Sequence, residues 1–180
     1  MSTFIALFRG INVGGNCILP MKELKVILEK LGLQSVRTYI QSGNVVFKSE
    51  EKDRRKLSVE ISAAVKKKYG FEPRVMLLSA EELENAIKAN PFPEAQAEPV
   101  TLHLGFLADV PQNPDRQELE RLKAGKEQYK LDGKVFYLYA PEGIGRSKLA
   151  ARVERLLGVE ITDRNWRTVQ KIMEMVNEAQ

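Results

Sequence analysis

A chain of 180 residues suits one large domain or two small ones, because domains cluster at ~100–150 residues, and 43% hydrophobic with 29% charged residues excludes wholesale disorder. One cysteine, Cys17, excludes an intramolecular disulfide; with a single histidine beside it there is no Cys/His cluster for zinc, and no metal site is expected. A formal net charge of +4 favours anionic ligands without singling out nucleic acid.

Along the chain, Phe4, Ile5, Leu7 and Phe8 predict a buried strand from Thr3 to Arg9. That apolar run is too short for a signal-peptide core or a membrane span, so a cytoplasmic protein with no membrane partner is expected. After a Gly- and Asn-rich loop, Pro20 opens a helix in which Leu24, Ile27, Leu28 and Leu31 recur at helical spacing until Gly32. Val36 to Gln41 and Val45 to Lys48 predict paired strands around the turn Ser42-Gly43-Asn44. Leu57, Ile61, Ala64 and Val65 predict a second helix ending near Gly70, and Arg74 to Leu78 a fourth strand. The order β-α-β-β-α-β is that of a ferredoxin-like plait, a four-stranded antiparallel sheet with both helices on one face.

Ser79 with Glu82 predicts a capped helix from Ser79 to Ala89, running into Asn90-Pro91-Phe92-Pro93 and Pro99. Beyond it come a strand from Val100 to Leu107, a helix from Asp115 to Lys123 and a hairpin of Gln128 to Leu131 with Val135 to Tyr139 around Asp132-Gly133. A helix from Ser147 to Leu157, a short strand from Val159 to Ile161 and a helix from Arg164 to Asn177 complete the chain. The expected fold is therefore α+β, two ferredoxin-like halves with an extra C-terminal helix. Residues 1–79 form the first half, 80–99 a connecting helix and Pro-rich linker, and 100–180 the second half with the appended helix.

Four stretches could carry chemistry. Arg9 to Asn16, with Asn12, Gly14 and Gly15, lies between a strand end and a helix start, where glycines let backbone N–H groups approach an anion. It matches neither the dinucleotide fingerprint nor the P-loop, and an irregular loop requiring positive φ explains it equally well. Gln41, Ser42 and Asn44 form the hairpin turn. In a plait this turn and the first loop share one end of the sheet, so Asn12, Asn16, Gln41, Ser42 and Asn44 are expected to converge. The third stretch, Pro141 to Lys148, places Arg146 and Lys148 around Ser147 at a helix entrance. The fourth, Thr162 to Arg167, places Arg164 and Asn165 before the sole tryptophan, Trp166. Cations at a helix N-terminus oppose its dipole by ~0.3–1 kcal/mol each, so an acidic ligand would give them a reason. The plainer explanation is that Ser147 and either Thr162 or Asp163 cap helices, the cations are solvated and Trp166 is core. His103, between apolar neighbours in a strand, reads as a satisfied histidine, and Cys17 has no evident adjacent base. Lys66-Lys67-Lys68 and Arg54-Arg55-Lys56 read as solvated faces of the second helix.

Read together, the passages Leu7 to Asn16 with Pro20-Met21, Arg37 to Val45, Tyr139 to Leu149 and Arg164 to Thr168 resemble a widespread bacterial family, domain-of-unknown-function family number 1697. The resemblance covers essentially the whole chain. It implies two ferredoxin-like halves and carries over no activity, cofactor or catalytic residue.

The leading expectation is a binding protein, with or without catalysis, that takes a small anionic or phosphorylated ligand between the halves. The Arg and Lys residues would neutralise charge and the amides would orient the ligand. The alternatives are single-stranded nucleic acid on a sheet face, where Tyr137 and Tyr139 share one side of a strand, and a self-associating interaction protein. Catalytic residues, cofactor and oligomeric state are not assigned by any pattern in the chain.

Overall fold

Alternation along β1 (Ser2–Arg9) puts Phe4, Ala6 and Phe8 on one face and Ile5 and Leu7 on the other, all buried. The structure, a computed structural model, describes residues 1–179. After β1 a loop leads to α1 (Met21–Lys30), which starts behind the extended Pro20 and buries Leu24, Ile27 and Leu28. The antiparallel hairpin of β2 (Gln34–Tyr39) and β3 (Asn44–Ser49) places β3 against β1. Asp53 starts α2 (Arg54–Tyr69) by accepting hydrogen bonds from the amides of Arg55 and Lys56 at 2.9 and 3.1 Å. Finally β4 (Arg74–Ser79) pairs with the free side of β1, giving the antiparallel order β2-β3-β1-β4. Phe4, Ala6, Phe8, Val45 and Phe47 of the sheet pack with Leu24 and Leu28 of α1 and Leu57, Ile61 and Val65 of α2, so both helices cover one face.

The expected capping box opens α3 (Ala80–Lys88): Ser79 Oγ accepts from the Glu82 amide at 3.1 Å, and the Glu82 carboxylate accepts from the Ser79 amide at 2.8 Å.

The same order recurs in β5 (Leu102–Leu107), α4 (Arg116–Leu122), β6 (Gln128–Asp132), β7 (Val135–Tyr139), α5 (Lys148–Leu157) and β8 (Ile161–Asn165), with sheet order β6-β7-β5-β8. Phe136 and Leu138 of β7 pack with Leu119 and Leu122 of α4 and with Leu149, Val153 and Leu157 of α5. The last helix, α6 (Trp166–Ala179), completes the described chain. The fold is α+β, with two ferredoxin-like sheets and a C-terminal helix. The chain divides into two units, one of Met1–Asn85 together with the residues from Lys171 onward and one of Ala86–Gln170. No described helix is long and apolar enough to cross a membrane.

The main local departure from expectation is β8. A strand at Val159 to Ile161 and a helix from Arg164 were predicted; instead Ile161 to Asn165 pair with Leu107 to His103 of β5, and the helix begins at Trp166. Thr-Asp-Arg-Asn has the composition of a helix cap, not of a strand. The ladder offered by β5 outweighs that local preference.

Candidate functional site

The loop after β1 folds back on itself as a miniature hairpin. Val13 bridges to Asn16, whose amide donates to the Val13 carbonyl at 3.0 Å, and the Asn12 amide donates to the Cys17 carbonyl at 3.1 Å. Gly14 and Gly15 form its tip with φ of 58° and 76°, the left-handed pair that a type I′ turn needs. At the base, the Asn12 side chain is a clamp. Its Oδ1 accepts from the Leu19 amide at 2.7 Å, and its Nδ2 donates to the Leu19 carbonyl at 2.9 Å and to the Gln41 carbonyl at 2.8 Å. The last of these bonds ties the loop to the β2–β3 turn.

That turn is held just as tightly. The Phe8 amide donates to the Gly43 carbonyl at 2.8 Å, and the Gly43 amide donates to the Ile40 carbonyl at 3.2 Å. Asn44 is fully buried, and its Nδ2 donates to the Tyr39 carbonyl at 3.0 Å and to Ser42 Oγ at 3.1 Å. Among the residues picked from sequence, then, Asn12 and Asn44 direct their amides inward and shape the site. Gly14, Gly15, Asn16, Gln41 and Ser42 are exposed around it. Arg9 ends β1 directly opposite Arg74, the first residue of β4, so two guanidinium groups share one face at this end of the sheet. Arg74 was not singled out from sequence, because only the strand register brings it beside Arg9.

In the second unit the corresponding residues have structural duties. Ser147 is buried and caps α5 by accepting from the Ala150 amide at 3.0 Å, while Arg146 and Lys148 on either side are exposed. Asn165, and not Thr162 or Asp163, caps α6 by accepting from the Thr168 amide at 3.0 Å, because strand pairing continues up to it. Trp166 is buried. Arg164 lies within β8 opposite Leu104 and donates to the Asp163 carbonyl at 2.8 Å; burial pushes its pKa down to about 10. Tyr137 is buried, with its hydroxyl donating to the Ala86 carbonyl at 2.7 Å, and burial pushes its pKa up to about 12. Tyr139 packs against Phe92 with ring centroids 6.4 Å apart. No group of three or more His, Cys, Asp or Glu residues among those described could hold a metal ion.

His103 is satisfied at both ring nitrogens. Nδ1 lies 2.8 Å from Asp163 Oδ2, and Nε2 lies 3.0 Å from the Val100 carbonyl. An ionised carboxylate and a carbonyl both only accept, so the pair of contacts is best made by the doubly protonated ring. Burial opposes that charge, but the hydrogen bond and charge of Asp163 and the bond to Val100 outweigh it, and the pKa lies above the ordinary imidazole value. A raised folded pKa means that this pair stabilises the protein fully below the unfolded value of ~6.5, and that its contribution fades as pH rises through the folded value. The single imidazole resonance should accordingly titrate above that value by NMR, and denaturant midpoints of the wild type and His103→Gln should converge at alkaline pH. A folded pKa below the unfolded one would contradict the doubly bonded ring.

The comparisons with known proteins agree with this architecture. A solved structure, that of a conserved bacterial protein from Streptococcus pneumoniae, is similar with a TM-score of 0.69 at 27% identity, covering 97% of this chain and 98% of that one. No curated protein matches. The model of the family described as "Protein of unknown function (DUF1697)" matches residues 1–137, and on that match the chain belongs to this family.

Proposed function

We propose that the end of the first unit, where the loop after β1 meets the β2–β3 turn, binds a small anionic or phosphorylated ligand. The observation that carries this reading is where backbone strain sits. Of the four non-glycine residues with positive φ among those described, three lie in these two loops: Asn12 at 54°, Cys17 at 49° and Ile40 at 47°. A β-branched residue such as Ile40 is especially disfavoured there, and each such residue costs ~1–3 kcal/mol. Strain of this kind persists where a fixed shape is required, and the Asn12 clamp keeps the two strained loops in one arrangement.

The chemistry exposed on that frame suits an anion. The amides of Gly14 and Gly15 donate no hydrogen bond among the described residues and stand at an exposed tip. Side chains of Asn16, Gln41 and Ser42 supply orienting polar groups. Arg9, at the end of β1, supplies positive charge beside the two loops.

A thermal-shift screen against nucleotides, sugar phosphates and acidic metabolites at two salt concentrations tests the reading. A salt-tolerant rise in melting temperature is expected for one class of small anion. Affinity for that anion should fall about tenfold in Asn16→Ala or Gln41→Ala, the loss of one hydrogen bond to a charged group. Absence of any shift, or equal shifts in wild type and both variants, would sink the proposal.

A further inference from the structure

The same end of the first unit exposes aliphatic side chains as well as polar ones. Val13 is 66% exposed, Ile18 53% and Ile40 47%, all on the two clamped loops. The antiparallel topology also brings the first turn of α1 and the last turn of α2 to this end, as the Lys68–Glu23 ion pair records. Lys66 is paired with Glu72 at 2.8 Å, whereas the exposed Lys22 and Lys67 have no carboxylate partner among the described residues. The opposite end of the sheet is mixed in charge: Glu50, Glu51 and Glu60 line an open groove, and Arg54, Arg55 and Lys56 open α2 beside them, Lys56 pairing with Glu51. The end at the two clamped loops thus combines exposed aliphatic side chains with lysines that have no carboxylate partner among the described residues.

We propose that this basic end docks on an anionic lipid bilayer, with Val13, Ile18 and Ile40 entering the headgroup boundary and Lys22 and Lys67 lying over the lipid charges. The proposal shares the premise of the anion-binding reading, namely that this end takes negative groups. Protruding aliphatic side chains gain little from a small soluble ion, but they gain from an apolar layer directly beneath a charged surface. Single-stranded nucleic acid fits less well, because base recognition relies on exposed aromatic rings. The aromatic residues here are partly buried: Tyr69 and Phe71 pack on each other and on the core, and Tyr39 ends β2 opposite Asn44. Docking on a surface needs no membrane-crossing helix, so composition alone, which excluded a span, did not anticipate it.

Co-sedimentation of the full chain with phosphatidylserine–phosphatidylcholine vesicles, against phosphatidylcholine alone, tests the proposal. Binding to the anionic vesicles only is expected. It should weaken about tenfold in the Val13→Ser/Ile18→Ser double variant at unchanged melting temperature, and by a similar factor in Lys22→Gln/Lys67→Gln. No binding to anionic vesicles, or binding indifferent to the aliphatic pair, overturns it. So does capture of a single-stranded oligonucleotide in place of vesicles. Parallel melts with free glycerophosphoserine and inorganic phosphate separate the two readings. A shift with soluble anions but no vesicle binding leaves the small-ligand site standing and overturns docking. Vesicle binding with no effect of any soluble anion supports docking and removes the small-ligand site.

Discussion

Replacing Gly43 with alanine is expected to destabilise the protein by about 2–5 kcal/mol, the largest effect of the glycine-to-alanine changes. Two independent costs coincide there. The backbone has φ of 82°, where an L side chain is strained by ~1–2 kcal/mol. A Cβ would also stand 2.6 Å from Phe8 Cβ and 2.7 Å from Ile11 Cδ1, the former on the β1 backbone's own doorstep and unable to swing away. Overpacking of this sort adds ~1–3 kcal/mol. A fall in melting temperature of about 4–20 °C should follow. Gly105→Ala is the control: its Cβ would meet Ile161 Cδ1 at 2.3 Å, but that is the far end of a flexible side chain, and the backbone there is not left-handed. It should cost ~1–2 kcal/mol. If the two variants ranked the other way in thermal melts, the close approach of the turn to β1 would not be what demands glycine at position 43.

Asn12→Ala is expected to be the most damaging change among the polar residues of the site, at about 2–3 kcal/mol. It removes three hydrogen bonds at once, leaves the Leu19 amide and the Leu19 and Gln41 carbonyls to find other partners, and puts a Cβ without a compensating amide at φ of 54°. Asn12→Gly separates these contributions, since it relieves the backbone and still loses the clamp. Asn12→Asp retains an acceptor for the Leu19 amide but loses both donations. The expected order of melting temperatures is wild type, then Asp and Gly, then Ala. If the loop is the anion site, Asn12→Gly should also weaken binding although its side chain touches no ligand, because the loop tip would no longer be held against the turn. An alanine variant as stable as wild type would show that the clamp does not bear on the fold.

Much of this architecture is legible in the residues. Helices announced by apolar residues at helical spacing, such as Leu24, Ile27 and Leu28, or by a cap, Ser79 or Ser147, lie where periodicity and cap chemistry put them. Failure came at β8, whose residues Thr162 to Asn165 read as a cap because their strand identity comes from the β5 ladder beside them. The candidate site shows the same division. Gly14, Gly15 and the turn at Gly43 were visible as residue types that tolerate positive φ, but the strain at Cys17 and Ile40 was not.

Periodicity, caps and turn residues act over a few positions, so the order of elements in both halves and the α+β class follow from local physics alone. Register, burial and side-chain partners depend on residues far apart in the chain. Tertiary structure alone therefore put Arg74 opposite Arg9, gave His103 its Asp163 partner, buried Tyr137, and turned the expected approach of the first loop to the β2–β3 turn into a specific bond from Asn12 to the Gln41 carbonyl. None of those contacts carries a local signal, because each is set by how strands pair once the chain has folded.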